Sequence, residues 1–117
     1  MVSNVQERNL IEEINAENGT GLLTLDRLLL PPNAPAKLRT YAKATLEPGA
    51  SVGFHMHFGE SESYYILAGT GEYSDNGEIS VVTPGTITYT PSGSGHGIRN
   101  IGAEPLEFMA LIIRDDV

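Results

Sequence analysis

The sequence predicts an all-β domain, a sandwich or barrel of jelly-roll type. Three observations carry that prediction. Short runs of Val, Ile, Leu, Thr and Tyr recur along the chain; turn signals separate them at close intervals; and 13 Gly with 7 Pro supply those turns. At 117 residues the chain fits a single domain, with no room for a second module. It contains neither cysteine nor tryptophan, so a disulfide framework and thiol chemistry are excluded. A net charge of −8 with only 7 Lys and Arg argues against a nucleic-acid partner, which needs a clustered basic surface.

In chain order, residues 1–20 read as an N-terminal extension and 21–117 as the barrel domain. Leu10, Ile11 and Ile14 have helix-like spacing, Ser3 and Gln6 stand in capping-box relation, and Asn18-Gly19 is a stop signal. A short helix or a strand plus turn is expected there, with Glu12, Glu13 and Glu17 on a solvated face. No basic segment precedes a long apolar run, so neither signal peptide nor membrane span is expected, and the expected location is cytoplasmic.

Leu22 to Leu30 is an apolar run closed by Pro31-Pro32, expected to be central in a sheet or covered by a partner chain. Lys37 to Leu46 alternates: Leu38, Ala42, Ala44 and Leu46 share a face, while Arg39, Tyr41 and Lys43 share the other, facing a polar pocket or water. Glu47-Pro48-Gly49 turns the chain into two strands, roughly Ser51–Phe58 and Ser61–Leu67. Asp75-Asn76-Gly77 is a hairpin signal, after which Glu78 to Val82 pairs back. Thr86 to Thr90 is a β-branched strand. The loop Pro91 to Gly95 delivers His96, and Leu106 to Ile113 is a final buried strand.

Chemistry concentrates in Gly49 to Gly69. Successive side chains of a strand alternate faces, so His55 and His57 point the same way, roughly 7 Å apart. Two imidazoles so placed can converge on one ion, and Gly59 permits a reversal that brings Glu62 back with an oxygen for it. Glu60 reads as exposed in that turn, with a role behind the ligands or as an alternative ligand also open. Parity places Tyr64 on the face of Glu62 and turns Tyr65 away; it sets Ile98 inward with His96, and Phe108, Ala110 and Ile112 inward on the last strand.

The same residues carry a family resemblance. Gly49, His55, His57, Glu62 and Gly69 fit every position of G-x5-H-x-H-x4-E-x6-G, and Gly85, Pro91, Gly93, His96 and Asn100 fit every position of G-x5-P-x-G-x2-H-x3-N. The sequence therefore resembles the cupins, small single-domain members in particular. The resemblance implies a double-stranded β-helix (jelly-roll) barrel preceded by a short helical or irregular segment, and a metal held by His55, His57, Glu62 and His96. Three imidazoles and one carboxylate leave about two positions of an octahedral ion for water or substrate, and suit Mn, Fe, Ni, Co or Zn.

By the same resemblance the function is that of a metal-dependent enzyme on a small oxygen-rich metabolite, a sugar derivative or a carboxylic or keto acid, by isomerase, decarboxylase or dioxygenase chemistry. Tyr64, Tyr41 and Glu60 are the candidate proton-handling residues. The alternative is a non-catalytic binding or sensor module. Oxalate-degrading cupins carry an arginine three residues before the first motif histidine and have two domains; here that position is Val52 in a single domain, which argues against oxalate decarboxylation. Glu62 likewise argues against the cysteine-dioxygenase branch. Small cupins commonly form homodimers, and one that covers Leu22–Leu30 and the final strand is expected.

Overall fold

Alternation between buried and exposed side chains organises the chain into strands, in the computed structural model that describes residues 1–116. The expected domain's last residue, Val117, lies outside the described residues. The strands are β1 (Ile11–Ile14), β2 (Leu22–Arg27), β3 (Leu38–Leu46), β4 (Ser51–Met56), β5 (Glu60–Ala68), β6 (Gly71–Asp75), β7 (Glu78–Val82), β8 (Ile87–Thr90), β9 (Gly95–Asn100) and β10 (Leu106–Arg114). They pair antiparallel in two sheets, ordered β1-β2-β3-β10-β5-β8 and β4-β9-β6-β7. The two sheets face each other as a jelly roll, with inward residues of both forming the core.

Period-two patterning sets which residues are inside. On β3, Ala42, Ala44 and Leu46 are buried; on β10, Leu106, Phe108, Ala110 and Ile112; on β5, Tyr64 and Ile66. Small residues on β3 leave space beside the larger Phe108 and Tyr64, and a cavity of about 420 Å³ opens there. At the hairpin between β4 and β5, Gly59 adopts φ +72°, the left-handed conformation that the reversal was expected to need.

The N-terminal segment departs from its helix-like spacing. Ile11–Ile14 pairs with β2 in the register Ile11↔Leu25 to Ile14↔Leu22, flanked by short 3-10 turns at Val5–Glu7 and Ala16–Asn18. A helix of one turn gains little alone, whereas an open sheet edge offers a hydrogen-bond ladder. Ser3 does not cap a helix; its Oγ accepts from Arg8, whose guanidinium also binds Asp26 on β2 and ties this segment to the sheet. β2 stops at Arg27, short of the expected Leu30; the Leu28 N–H still donates to the Tyr41 carbonyl on β3, and Pro31 and Pro32 further on have no N–H to extend a ladder.

The turn at Ala16–Asn18 lies directly on β4. A Cβ on Gly53 would collide with the Glu17 carbonyl, so the close approach requires glycine at 53. This contact carries Glu13 and Glu17 to the cavity, where both contribute to the lining. Glu13 and Glu17 are exposed, as expected of a solvated face, and the structure adds that they stand at the cavity rim. Spacing within one segment could not reveal that, because the docking is set by Gly53, far along the chain.

Candidate metal centre

Three strands bring four side chains together. β4 and β9 pair with His55 directly opposite His96, and β5 carries Glu62 in from the facing sheet. His57 follows just after β4, where its N–H donates to the Ser94 carbonyl and its carbonyl accepts from Gly93. The loop from Pro91 to Gly95 is thus fixed against the first motif. His57, Glu62 and His96 are buried and His55 is partly so.

The ligand atoms converge. His96 Nε2 lies 2.8 Å from Glu62 Oε1, His57 Nε2 lies 3.0 Å from the same oxygen, and His55 Nε2 lies 3.9 Å from it. His57 Nε2 and His96 Nε2 are 3.1 Å apart. One donor atom from each of the four residues falls within 4.8 Å of all the others, a grouping that could hold a metal ion.

The opposite ring nitrogens decide whether the imidazoles present the correct atom. His55 Nδ1 donates to the Gly53 carbonyl at 2.8 Å, and His57 Nδ1 donates to Glu60 Oε2 at 2.8 Å. His96 Nδ1 pairs with the Tyr73 hydroxyl at 2.8 Å, which in turn pairs with Thr90 Oγ1 at 3.1 Å. A carbonyl and a carboxylate can only accept, so the first two rings carry their proton on Nδ1 and leave Nε2 as a lone pair. Such outer partners are what metal-ligating histidines require, and the donor set therefore fits a divalent ion.

Electrostatics agree. Burial pushes the Glu62 carboxyl up, but hydrogen bonds to His55 and His96 and the neighbouring imidazoles bring it down to about 2, so it is ionised. Burial pushes His96 down against the pull of Glu62, keeping it neutral. Burial also opposes protonation of His55, but hydrogen bonds to Glu62 and the Gly53 carbonyl outweigh it and leave that ring more basic than usual.

The candidate proton-handling residues part company here. Tyr64 lines the cavity, is buried, and stacks on the His96 ring with centroids 4.8 Å apart. Burial and the charge of Glu62 raise its phenol well above the ordinary value, so it stays protonated. Tyr41 is a correction: it sits on the outer face of β3, outside the cavity lining, because strict alternation from buried Ala42 turns it outward. Glu60 is a second correction. It is not simply exposed; its carboxylate takes hydrogen bonds from both His57 and Arg39, which outweigh burial and hold it ionised.

Tyr73 and Thr90 were not identified from sequence. They come from β6, between the two motifs, and from β8, at a position the second motif leaves free, and only a buried hydroxyl on an inward parity position hints at either.

Comparison with known proteins adds the lineage. Residues 42–112 match the family described as Cupin domain. Over 99 residues the chain is 42% identical to a Thermotoga maritima protein named oxalate-binding protein, a stretch covering 85% of this chain and 82% of that one. A crystal structure from Thermotoga maritima, described as a predicted oxalate decarboxylase, superposes with a TM-score of 0.92 at 39% identity, covering 97% of this chain and 99% of that chain. A mannose-1-phosphate guanylyltransferase of Klebsiella pneumoniae is 35% identical over 69 residues, which make up 59% of this chain and 15% of that protein.

Proposed function

The chain belongs to the cupin family, and from that premise we propose that it is a metal-dependent enzyme acting on a small carboxylic, hydroxy or keto acid. In this reading His55, His57, Glu62 and His96 hold a divalent ion, Mn, Fe, Ni, Co or Zn. The observation that carries it is the convergence of three Nε2 atoms and one carboxylate oxygen, with each Nδ1 already engaged by its own partner. When bound, such an ion supplies Lewis-acid charge to substrate oxygens.

The chain's own residues supply the rest. Leu23, Leu25, Val52, Phe108 and Ile112 give the cavity apolar walls that limit water. Tyr64, held neutral, is fitted to donate a hydrogen bond to a substrate oxygen rather than to act as a base. Glu60 positions His57. The acid class is supported by the oxalate-related names of the Thermotoga maritima matches, while Val52 at the position three before His55 argues against oxalate decarboxylation itself.

The test is elemental analysis of the purified protein followed by metal-dependent turnover of a hydroxy- and keto-acid panel. Activity that needs the ion and disappears in His96→Ala is the expected result. A second reading, a binding module without turnover, is favoured by the oxalate-binding name; stoichiometric metal and tight acid binding with no product would select it. If no metal copurifies and added Mn, Fe, Ni or Zn leaves the melting temperature unmoved, both readings fail.

We propose further that the protein is a homodimer. The outer face of the larger sheet carries exposed Tyr41, Tyr65, Leu67, Ile87, Tyr89 and Ile113, an apolar surface larger than isolated exposed residues would make. Sedimentation at micromolar concentration should give a dimer, and a monomer would contradict the reading. Among the described residues no helix is long and apolar enough to cross a membrane. The absence of a nucleic-acid partner, on the charge balance given above, and a cytoplasmic location are part of the same proposal.

A further inference from the structure

The cavity has an uneven rim. Its lining includes two carboxylates, Glu13 and Glu17, and Glu17 belongs to the turn that packs on Gly53, two residues before His55. Next to His57 stands Arg39, which among the described residues is the single Arg or Lys lining the cavity. By alternation Arg39 belongs with Tyr41 and Lys43 on the outer face of β3. It escapes that face because the ladder between β10 and β3 slips: Ile112 pairs with Thr40 while Ile113 pairs with Leu38, leaving Arg39 as the extra, unpaired residue of a bulge. Bulges bend a strand and re-aim a side chain, and this one sends the guanidinium toward β5.

There the guanidinium meets Glu60 through Nη1, on the same oxygen that holds His57 Nδ1. A guanidinium has five N–H donors in a planar fork, and Glu60 engages one of them. The Arg39 side chain is half exposed at the cavity mouth, so its remaining donors can reach a ligand. It lies two hydrogen bonds out from the His57 ring, on the order of 5 Å beyond it.

Resting on the acid-binding reading above, we propose that Arg39 selects a substrate with a second carboxylate: a 2-hydroxy or 2-oxo acid whose first carboxyl end binds among the histidines and whose second carboxylate, about two carbons further on, reaches the Arg39 fork. The charge pattern fixes the orientation. Glu17, whose turn packs on the strand of His55, repels an anionic tail there, and Arg39 attracts it on the His57 side. Oxalate, whose two carboxyl carbons are bonded directly to each other, is too short to occupy both ends.

The test is calorimetric titration of the Mn(II)-loaded protein with malate and with 2-hydroxybutyrate, a four-carbon pair that differs in the second carboxylate. Wild type should bind malate at least about tenfold tighter, the scale of hydrogen bonds to a charged group. Arg39→Gln should remove that preference, and Arg39→Lys should keep part of it, since an ammonium retains the charge without the fork. Because the readout is the ratio of two affinities, any disturbance of His57 through Glu60 cancels. Equal binding of the two acids by wild type, or an unchanged ratio in Arg39→Gln, overturns the inference and leaves the metal-acid reading standing. If neither acid binds the loaded wild-type protein, both fall.

Discussion

Two of the three histidines are held by contrasting means. Behind His57 stands a charged chain, Glu60 and then Arg39, that runs outward to solvent. Behind His96 stands a neutral chain, Tyr73 and then Thr90, that ends in the core with Thr90 and His96 fully buried. Both chains present Nε2 to the same point. An ion pair at the wet rim avoids most of the desolvation penalty that it would meet behind His96, whereas hydroxyls satisfy a dry site at little cost. The environment decides which kind of partner can hold a ring.

The largest expected break in the comparison is His96→Ala, which removes a ligand and should leave the purified protein without stoichiometric metal by elemental analysis. Acidification is next. Protonation competes with metal for imidazole, so metal is kept near neutrality and released as pH falls below about 6, with His55 protonating ahead of His96. Glu62, held to about 2, stays ionised throughout that window, so the imidazoles set the release. Metal retained at pH 4 in a dialysis series would count against histidine ligation.

Tyr73→Phe then tests the dry branch. It leaves Thr90 and His96 Nδ1 without their common partner, and should lower metal affinity by about 10–100-fold and stability by about 1–3 kcal/mol, read by competition with a chelator and by denaturant titration. Glu60→Gln tests the wet branch and should cost least, about tenfold or less in affinity, because the amide oxygen still accepts from His57 and water replaces the rest. A Glu60→Gln effect larger than that of Tyr73→Phe would reverse the account of the two branches.

Strands β3, β4, β5, β7, β8 and β10 were legible in sequence to within a few residues, since period-two patterning and Gly, Pro and Asn-Gly turns are local signals; β6 and β9, rich in Gly and polar residues, had no bounds there. The segment before β2 was not, because Leu10, Ile11 and Ile14 carry a helical period that pairing with β2 overrides. Three ligand positions were legible from strand geometry, because parity puts His55 and His57 on one face and the Gly59 reversal returns Glu62 to it; His96 was implied only by the resemblance to the cupins. Glu60 was half legible, its position plain and its partners hidden.

By itself, then, the sequence determined the all-β class, the turns and three of the side chains that converge, His55, His57 and Glu62, because each depends on the fixed geometry of a strand and its nearest turn. His96 followed from the family resemblance and is brought in by its register opposite His55. The tertiary structure alone decided what stands behind each ring, why Arg39 faces the cavity and Tyr41 does not, and how Glu17 comes to the rim. Those depend on cross-strand register, a one-residue bulge and the contact at Gly53, all set between residues distant in the chain, and no local period encodes them.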